Sequence, residues 1–284
     1  MASKFLTALG FGAALGASIS LAPTAFAKDW KTVVIGMEGA YEPWNLTDSS
    51  GKIVGFEPDL VNDLCKRMKV ECKIIAQDWD GMIPGLQAGK FDVIMDGMSI
   101  TEARKKEIDF TKPYAAPGAA FLAAKDSPLA KTGSGALISL DKDPAGGDAA
   151  IKAVQAALKG KTLGVQVSTT HSNFAGKYLK DIATVKEYKT ADDRDQDLKS
   201  GRLDAVLEDL PTNMATASKP DGAGLAIVGP EFIGGIFGPG EAMGIRKSDA
   251  DLTAKFNQAL AAAIADGTVK KLSEQWFKAD LTPR

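Results

Sequence analysis

The stretch Phe91–Tyr114, FDVIMDGMSITEARKKEIDFTKPY, decides the fold. Phe91, Val93, Ile94 and Met95 make a short continuous apolar run, as expected of a strand covered on both faces in an α/β sheet. The run stops at Asp96, Gly97 and Ser99, and a short charged helix follows with Arg104 in its first turns. Ligands of open α/β sheets sit beyond the carboxyl ends of the strands, so residues 96–104 lie where a small molecule would be held. Backbone N–H groups at the helix start suit a carboxylate, and Arg104 can add a planar, two-pronged grip. Taken alone, the stretch reads equally as a solvated turn with a surface arginine, so the rest of the chain must choose.

Outward from this point, strand and helix alternate. Thr32 to Gly36 reads as a strand, Phe56, Leu60, Leu64 and Met68 as one helix face, Glu71 to Ala76 as a strand, and Asp80 to Gln87 as a short helix stopped by Gly89. This βαβ order predicts a parallel sheet with helices on its faces. The periodicity breaks at Lys112 to Gly118 and restarts with a strand at Phe121 to Ala124, a polar excursion over 127–147, and further strands at Thr162 to Gln166, Thr184 to Tyr188 and Asp204 to Leu207. Gly229-Pro230 and the glycine-rich run 234–240 make a second break. Two α/β lobes joined by two crossings are therefore expected, residues 28–115 with 232–284 forming the first and 116–231 the second, with a hinge and a ligand cleft between them.

Composition narrows the function. With 45% hydrophobic and 25% charged residues the chain of 284 is ordinary globular material, and 34 basic against 36 acidic residues argue against nucleic acid as a partner. Met1 to Ala27 carries Lys4, an apolar run from Phe5 to about Leu21, and Ala25-Phe26-Ala27. That is the form of a secretory signal cleaved after Ala27, and the run is short of the roughly 20 residues of a spanning helix. A soluble protein outside the cytoplasm is expected. There Cys65 and Cys72 are expected to pair, the alternative being two separate buried thiols. So short a loop would contribute about 2.5 kcal/mol. Two cysteines and one distant histidine supply no tetrahedral metal set, and no cofactor is expected.

Candidate site residues fall at strand ends in both halves: Glu38 and Tyr41, Trp79, Asp96 to Arg104, Ser168 to His171, and Glu208 with Asp209. Tyr41 and Trp79 also suit packing, Asp209 could cap the helix after it, and His171 reads as a surface or capping residue. No G-x-S-x-G elbow, Walker loop or G-x-G-x-x-G fingerprint occurs, so binding is favoured over catalysis.

The segments IGMEGAYEPW, GFEPDLVNDLCKRMKVEC, DWDGMIPGLQAGKFDVIMDGMSITEARKKEIDFTKPY, LGVQVSTT, SGRLDAVLED and DGTVKKLSEQWF resemble the extracellular solute-binding proteins of polar amino-acid ABC transporters, over essentially all of 28–284. The resemblance implies a type II periplasmic-binding-protein fold, closing on a free amino acid for delivery to a membrane permease. Carried over, Arg104 would hold the ligand α-carboxylate with the N–H groups of Ser99 and Thr170. Asp209, the Ser99 hydroxyl and the Gly97 carbonyl would hold the α-ammonium, Tyr41 and Trp79 would sandwich the side chain, and Glu38 would meet its distal charge. Gln166 and Thr169 belong to the same wall. Asp96, Glu38 and Gln166 depart from the basic-amino-acid pattern, which has serine, aspartate and an apolar residue there. The extra carboxylates imply a cationic ligand, arginine before ornithine and lysine. Glu38, Trp44, Trp79 and the excursion also resemble the opine-binding branch, which takes octopine and nopaline. A monomer is expected; the rivals are a dehydratase-like enzyme on the same fold and a soluble sensor.

Overall fold

The computed structural model describes Met1 and residues 28–283, so the expected leader and its cleavage point lie outside the described residues. Two sheets organise the chain. The first runs Glu71–Ala76, Thr32–Met37, Val93–Ile94, Gly244–Ile245, Asp109–Phe110 in spatial order, its first three strands parallel and the Gly244–Ile245 strand antiparallel to both neighbours. The apolar run at 91–95 is thus its central strand, although only Val93–Ile94 are ladder-paired. The second sheet runs Thr184–Tyr188, Thr162–Gln166, Ala205–Asp209, Ala119–Ala124, Leu225–Ile233, Leu137–Ser139. A polar excursion was expected at 127–147; it contains the edge strand Leu137–Ser139 and the first turn of helix Pro144–Leu158.

Each sheet has its own core. In the first lobe, helix Phe56–Met68 lays Phe56, Leu60, Val61 and Leu64 against Trp44, Phe277 and the helix Ala250–Ala265. Burying each such side chain contributes about 1.5–3 kcal/mol. Cys65, on that buried face, is bonded to Cys72 in the next strand. Trp44, one of the residues that resemble the opine-binding branch, is fully buried among Phe56 and Phe277 under Tyr41 and belongs to the core.

One boundary moves. Residues 232–237 were expected in the first lobe, but Phe232 and Phe237 pack in the second core with Phe174. The reason is that strand Leu225–Ile233 continues through Gly229-Pro230 with a shift of register there. The return crossing follows at 238–242, beside the outgoing one: Glu241 bridges both Ala115 and Ser99. Gly240, at φ 141°, permits that approach, since a Cβ there would stand 2.6 Å from the Ala115 carbonyl oxygen.

Candidate functional site

Both sheets end their parallel strands at the same cleft, and the lobes touch across it. Glu38, Tyr41, Trp79, Asp96, Gly97, Ser99 and Arg104 line one wall, and Gln166, Thr169, Thr170, His171, Glu208 and Asp209 the other, across a narrow gap. The enclosed cavity is only about 20 Å³, far below the roughly 300–1,000 Å³ of small-molecule sites, so the two walls stand nearly in contact. Every residue singled out from the sequence for ligand binding is on one of these walls. Direct bonds cross between them: Gln166 Nε2 donates to Glu38 Oε1 at 3.0 Å, Arg104 Nη2 to the Ser168 carbonyl at 3.1 Å, and Ser99 Oγ lies 3.4 Å from Thr170 Oγ1.

On the first wall Arg104 is held in place by Thr101, whose hydroxyl caps the short helix, and by donation from its Nη1 to the Ser99 carbonyl at 2.9 Å. Burial pulls the guanidinium down to about 10, with Glu241 opposing. Its Cζ lies 5.2 Å from the Trp79 ring centre, a cation–π contact. Asp96 is buried; its Oδ1 accepts from the Glu38 N–H at 2.9 Å and Asn45 Nδ2 at 2.8 Å, while its buried Oδ2 has no hydrogen-bond partner. Burial, then Glu38 and Glu57, hold the Asp96 carboxyl well above the usual carboxylate range. Burial also raises Glu38 to about 7, against the hydrogen bond from Gln166. Gly97, at φ 53°, is required here: a Cβ would lie 2.7 Å from the Tyr41 ring.

The second wall is wired differently. Asp209 does not cap the helix Leu210–Ser218; its side chain makes no cap bond and turns into the cleft. The Tyr41 hydroxyl lies 2.5 Å from Asp209 Oδ2 and 2.9 Å from Glu208 Oε1. A phenol has one proton to give, so these two carboxylates share it. His171 is the clear correction to the sequence reading: it is 4% exposed, with Nδ1 3.1 Å from Glu208 Oε1 and Nε2 3.3 Å from Asp209 Oδ1. Burial opposes its protonation, yet Glu208 and Asp209 prevail and hold its pKa above the ordinary value. Behind them the fully buried Arg194 pairs with Glu208 and, at 2.8 Å, with Asp195, which accepts from Thr216 at 2.6 Å. Burial raises Asp209, but His171, then Glu241 and Tyr41 by hydrogen bonds, outweigh it and leave the carboxyl lowered. Thr169 spends its hydroxyl on the turn, donating to the Gln166 carbonyl and accepting from the Ser172 N–H.

One atom each of His171, Glu208 and Asp209 lies within 4.8 Å of the others, a spacing a metal could use. Arg194 on the other Glu208 oxygen and Tyr41 on Asp209 already give the two carboxylates a cation and a donor, and both His171 nitrogens stand at ion-pair distance from them without a hydrogen bond, so the set is an ion-pair cluster. Glu241, beside the cleft and 2% exposed, was not singled out from the sequence; a lone glutamate in a glycine-rich crossing was the only signal.

The sequence pattern of the bacterial extracellular solute-binding proteins, family 3, matches residues 33–279. An octopine-binding periplasmic protein of Rhizobium meliloti is 43% identical over 272 residues, 89% of this chain and 92% of that one. An L-arginine-binding protein of Pseudomonas aeruginosa is 36% identical over 281 residues, 98% of each chain. Among solved structures, an ancestral arginine-binding protein bound to arginine superposes with a TM-score of 0.72 at 35% identity, covering 87% of this chain and 98% of that one.

Proposed function

The chain belongs to the bacterial extracellular solute-binding proteins, family 3, and from this premise we propose that it captures a cationic amino acid, arginine before ornithine and lysine, by lobe closure and hands it to an ABC-transporter permease. In this reading the leader is removed after Ala27 and the mature protein acts in the periplasm as a monomer that turns nothing over. The lobes are residues 28–115 with the segment after the return crossing, and the chain between the crossings.

The observation that carries the reading is the buried, unpartnered Oδ2 of Asp96 beside Glu38, on the wall that also carries Arg104. Unpaired buried charge costs several kcal/mol, so these groups favour a ligand that supplies a cation to the carboxyls and a carboxylate to the guanidinium. Arg104 takes the α-carboxylate with the Ser99 and Thr170 N–H groups. The α-ammonium goes to Asp209, the Ser99 hydroxyl and the Gly97 carbonyl. The side chain passes between Tyr41 and Trp79, with its distal charge at Glu38 and Asp96, and Gln166 holds Glu38 in position.

An opine such as octopine is the second reading, favoured by the 43% identity to the octopine-binding protein. A thermal-shift panel on refolded, ligand-stripped protein decides, using arginine, ornithine, lysine, histidine, glutamine, octopine and nopaline. At about 100 times its dissociation constant a ligand adds roughly 2.7 kcal/mol, a rise of about 5–10 °C for a chain of this size. The largest shift is expected with arginine; a shift with octopine or nopaline alone would replace the first reading by the second.

A further inference from the structure

A second chamber adjoins the cleft on the hinge side. It shares Ser99, Thr170 and Asp209 with the site, and its other walls include Asp141, Lys142 and Glu241. Its volume is about 260 Å³, against about 20 Å³ for the cleft. A substituent on the ligand's α-nitrogen, which the reading above puts at Asp209, would enter this chamber. Whether the site accepts such a substituent therefore depends on how the chamber is charged.

Glu241 sets that charge. It is 2% exposed, and its backbone is fully committed, with its N–H on the Ala115 carbonyl at 2.9 Å and its carbonyl accepting from the Tyr114 N–H at 2.8 Å. The side chain is thereby fixed beside Asp209, and its buried Oε2 has no hydrogen-bond partner. Asp209 is already heavily used: Tyr41 is on Oδ2, and His171 faces Oδ1. A primary ammonium brings three N–H donors, more than an Asp209 so engaged can accept.

We propose that Glu241 is a second carboxyl partner for the ligand's α-ammonium, beside Asp209, and that it selects amino acids with a free primary ammonium against N-carboxyalkyl conjugates. The inference rests on the proposed placement of the α-ammonium. A conjugate's secondary ammonium has one donor fewer and adds a carboxylate, which would face Asp209, Asp141 and the Glu241 carboxyl that the ammonium ionises. Lys142 is the chamber's one cationic lining residue, and it is exposed. Like charges brought together in a buried site are costly, so the chamber has room for the substituent but the wrong sign for it.

The chemistry leaves a mark that packing alone would not. Tyr41, Tyr114, Glu57, Glu208, Asp209, Arg104 and, across Asp209, His171 are the titratable and charged groups around Glu241. Burial and then Asp209 hold its carboxyl well above the usual carboxylate range. An ammonium arriving at Oε2 favours the ionised form, so binding should shift Glu241 towards ionisation and release protons.

The test is calorimetry of arginine and octopine on wild type and Glu241→Gln at pH 7, in two buffers of different ionisation enthalpy. Expected is a loss of at least about tenfold in arginine affinity, a fall in the number of protons released, and an arginine-to-octopine preference narrowed at least about tenfold. Arginine binding within about twofold of wild type overturns the inference, as does weakened binding with an unchanged proton count, which a structural role would give. Wild type preferring octopine also overturns it. If wild type binds arginine and only the Glu241→Gln result is negative, the proposed function stands and this inference falls; if wild type binds no basic amino acid, both fall. Should Glu241→Gln not fold, Glu241→Asp, which keeps the charge and shortens its reach, is read in the same way.

Discussion

Asp96 and Glu208 are both carboxylates about 1% exposed, each at the end of a parallel strand and each on a wall of the same cleft. Glu208 has Arg194 on one oxygen and Tyr41 and His171 on the other. Asp96 has no cation against it among the described residues, and one of its oxygens has no partner. The second wall thus compensates its own charge, and the first does not. A strand-end carboxylate is therefore not a ligand group by position alone. The groups left for the ligand are those the protein has not already neutralised.

The comparison can be broken hardest at Arg104, the one cation of the first wall. Arg104→Ala should weaken every α-carboxylate ligand by about 100-fold or more, as expected when one partner of a buried, hydrogen-bonded charge pair is removed; near-wild-type affinity for arginine in calorimetry would remove Arg104 from the site. Next comes the internal cation of the second wall. Arg194→Met leaves Glu208 and Asp195 uncompensated and should cost about 3–5 kcal/mol of stability in urea unfolding. A loss below about 1 kcal/mol would mean that the second wall is not held by internal charge.

Asp96→Asn is the counterpart on the first wall. The asparagine oxygen can still accept from the Glu38 N–H and Asn45, so the ligand-free protein should be no less stable than wild type. Arginine affinity should fall by roughly tenfold, about 1.4 kcal/mol, while glutamine is little affected. Equal losses for arginine and glutamine would take Asp96 out of the specificity pocket.

The smallest effect expected is with pH. Glu38 is raised to about 7, so in the ligand-free protein it binds a proton that the unfolded chain releases above its ordinary value near 4.5. Its contribution to stability therefore declines as pH rises between those values, whereas its attraction for a cation grows through the same ionisation. Arginine affinity should rise by up to about tenfold from pH 6 to pH 8, and Glu38→Gln should flatten the profile. A flat wild-type profile would show that Glu38 does not meet the ligand's charge. On the second wall His171, raised by its carboxylates, follows the same sign as Glu38, stabilising at low pH and losing that contribution as pH rises through its folded value, whereas Asp209, lowered, has the reverse sign and loses its contribution as pH falls.

Much of this was legible in the chain itself. The apolar run at 91–95, the i+4 stripe from Phe56 and the alternation of strand and helix are local patterns, set by which faces must be buried, and they fix elements whether or not the partner face is known. The strand ends then place Glu38, Asp96, Arg104 and Asp209 at one cleft, because in a parallel sheet all carboxyl ends share one edge. Glycine and proline mark where the chain can cross, though not whether it does. Gly229-Pro230 looked like an end, yet the strand runs on, since pairing with Ala119–Ala124 tolerates a shift of register. Which carboxylates are free was beyond the sequence. Arg194 is 14 residues from Glu208, and His171 and Glu241 lie on different elements from Asp209, so their encounter depends on the packing of whole lobes. Local pattern determined where the charges stand; only tertiary contact decided which are neutralised, because the energy of a buried charge depends on what the fold brings within a few ångströms of it.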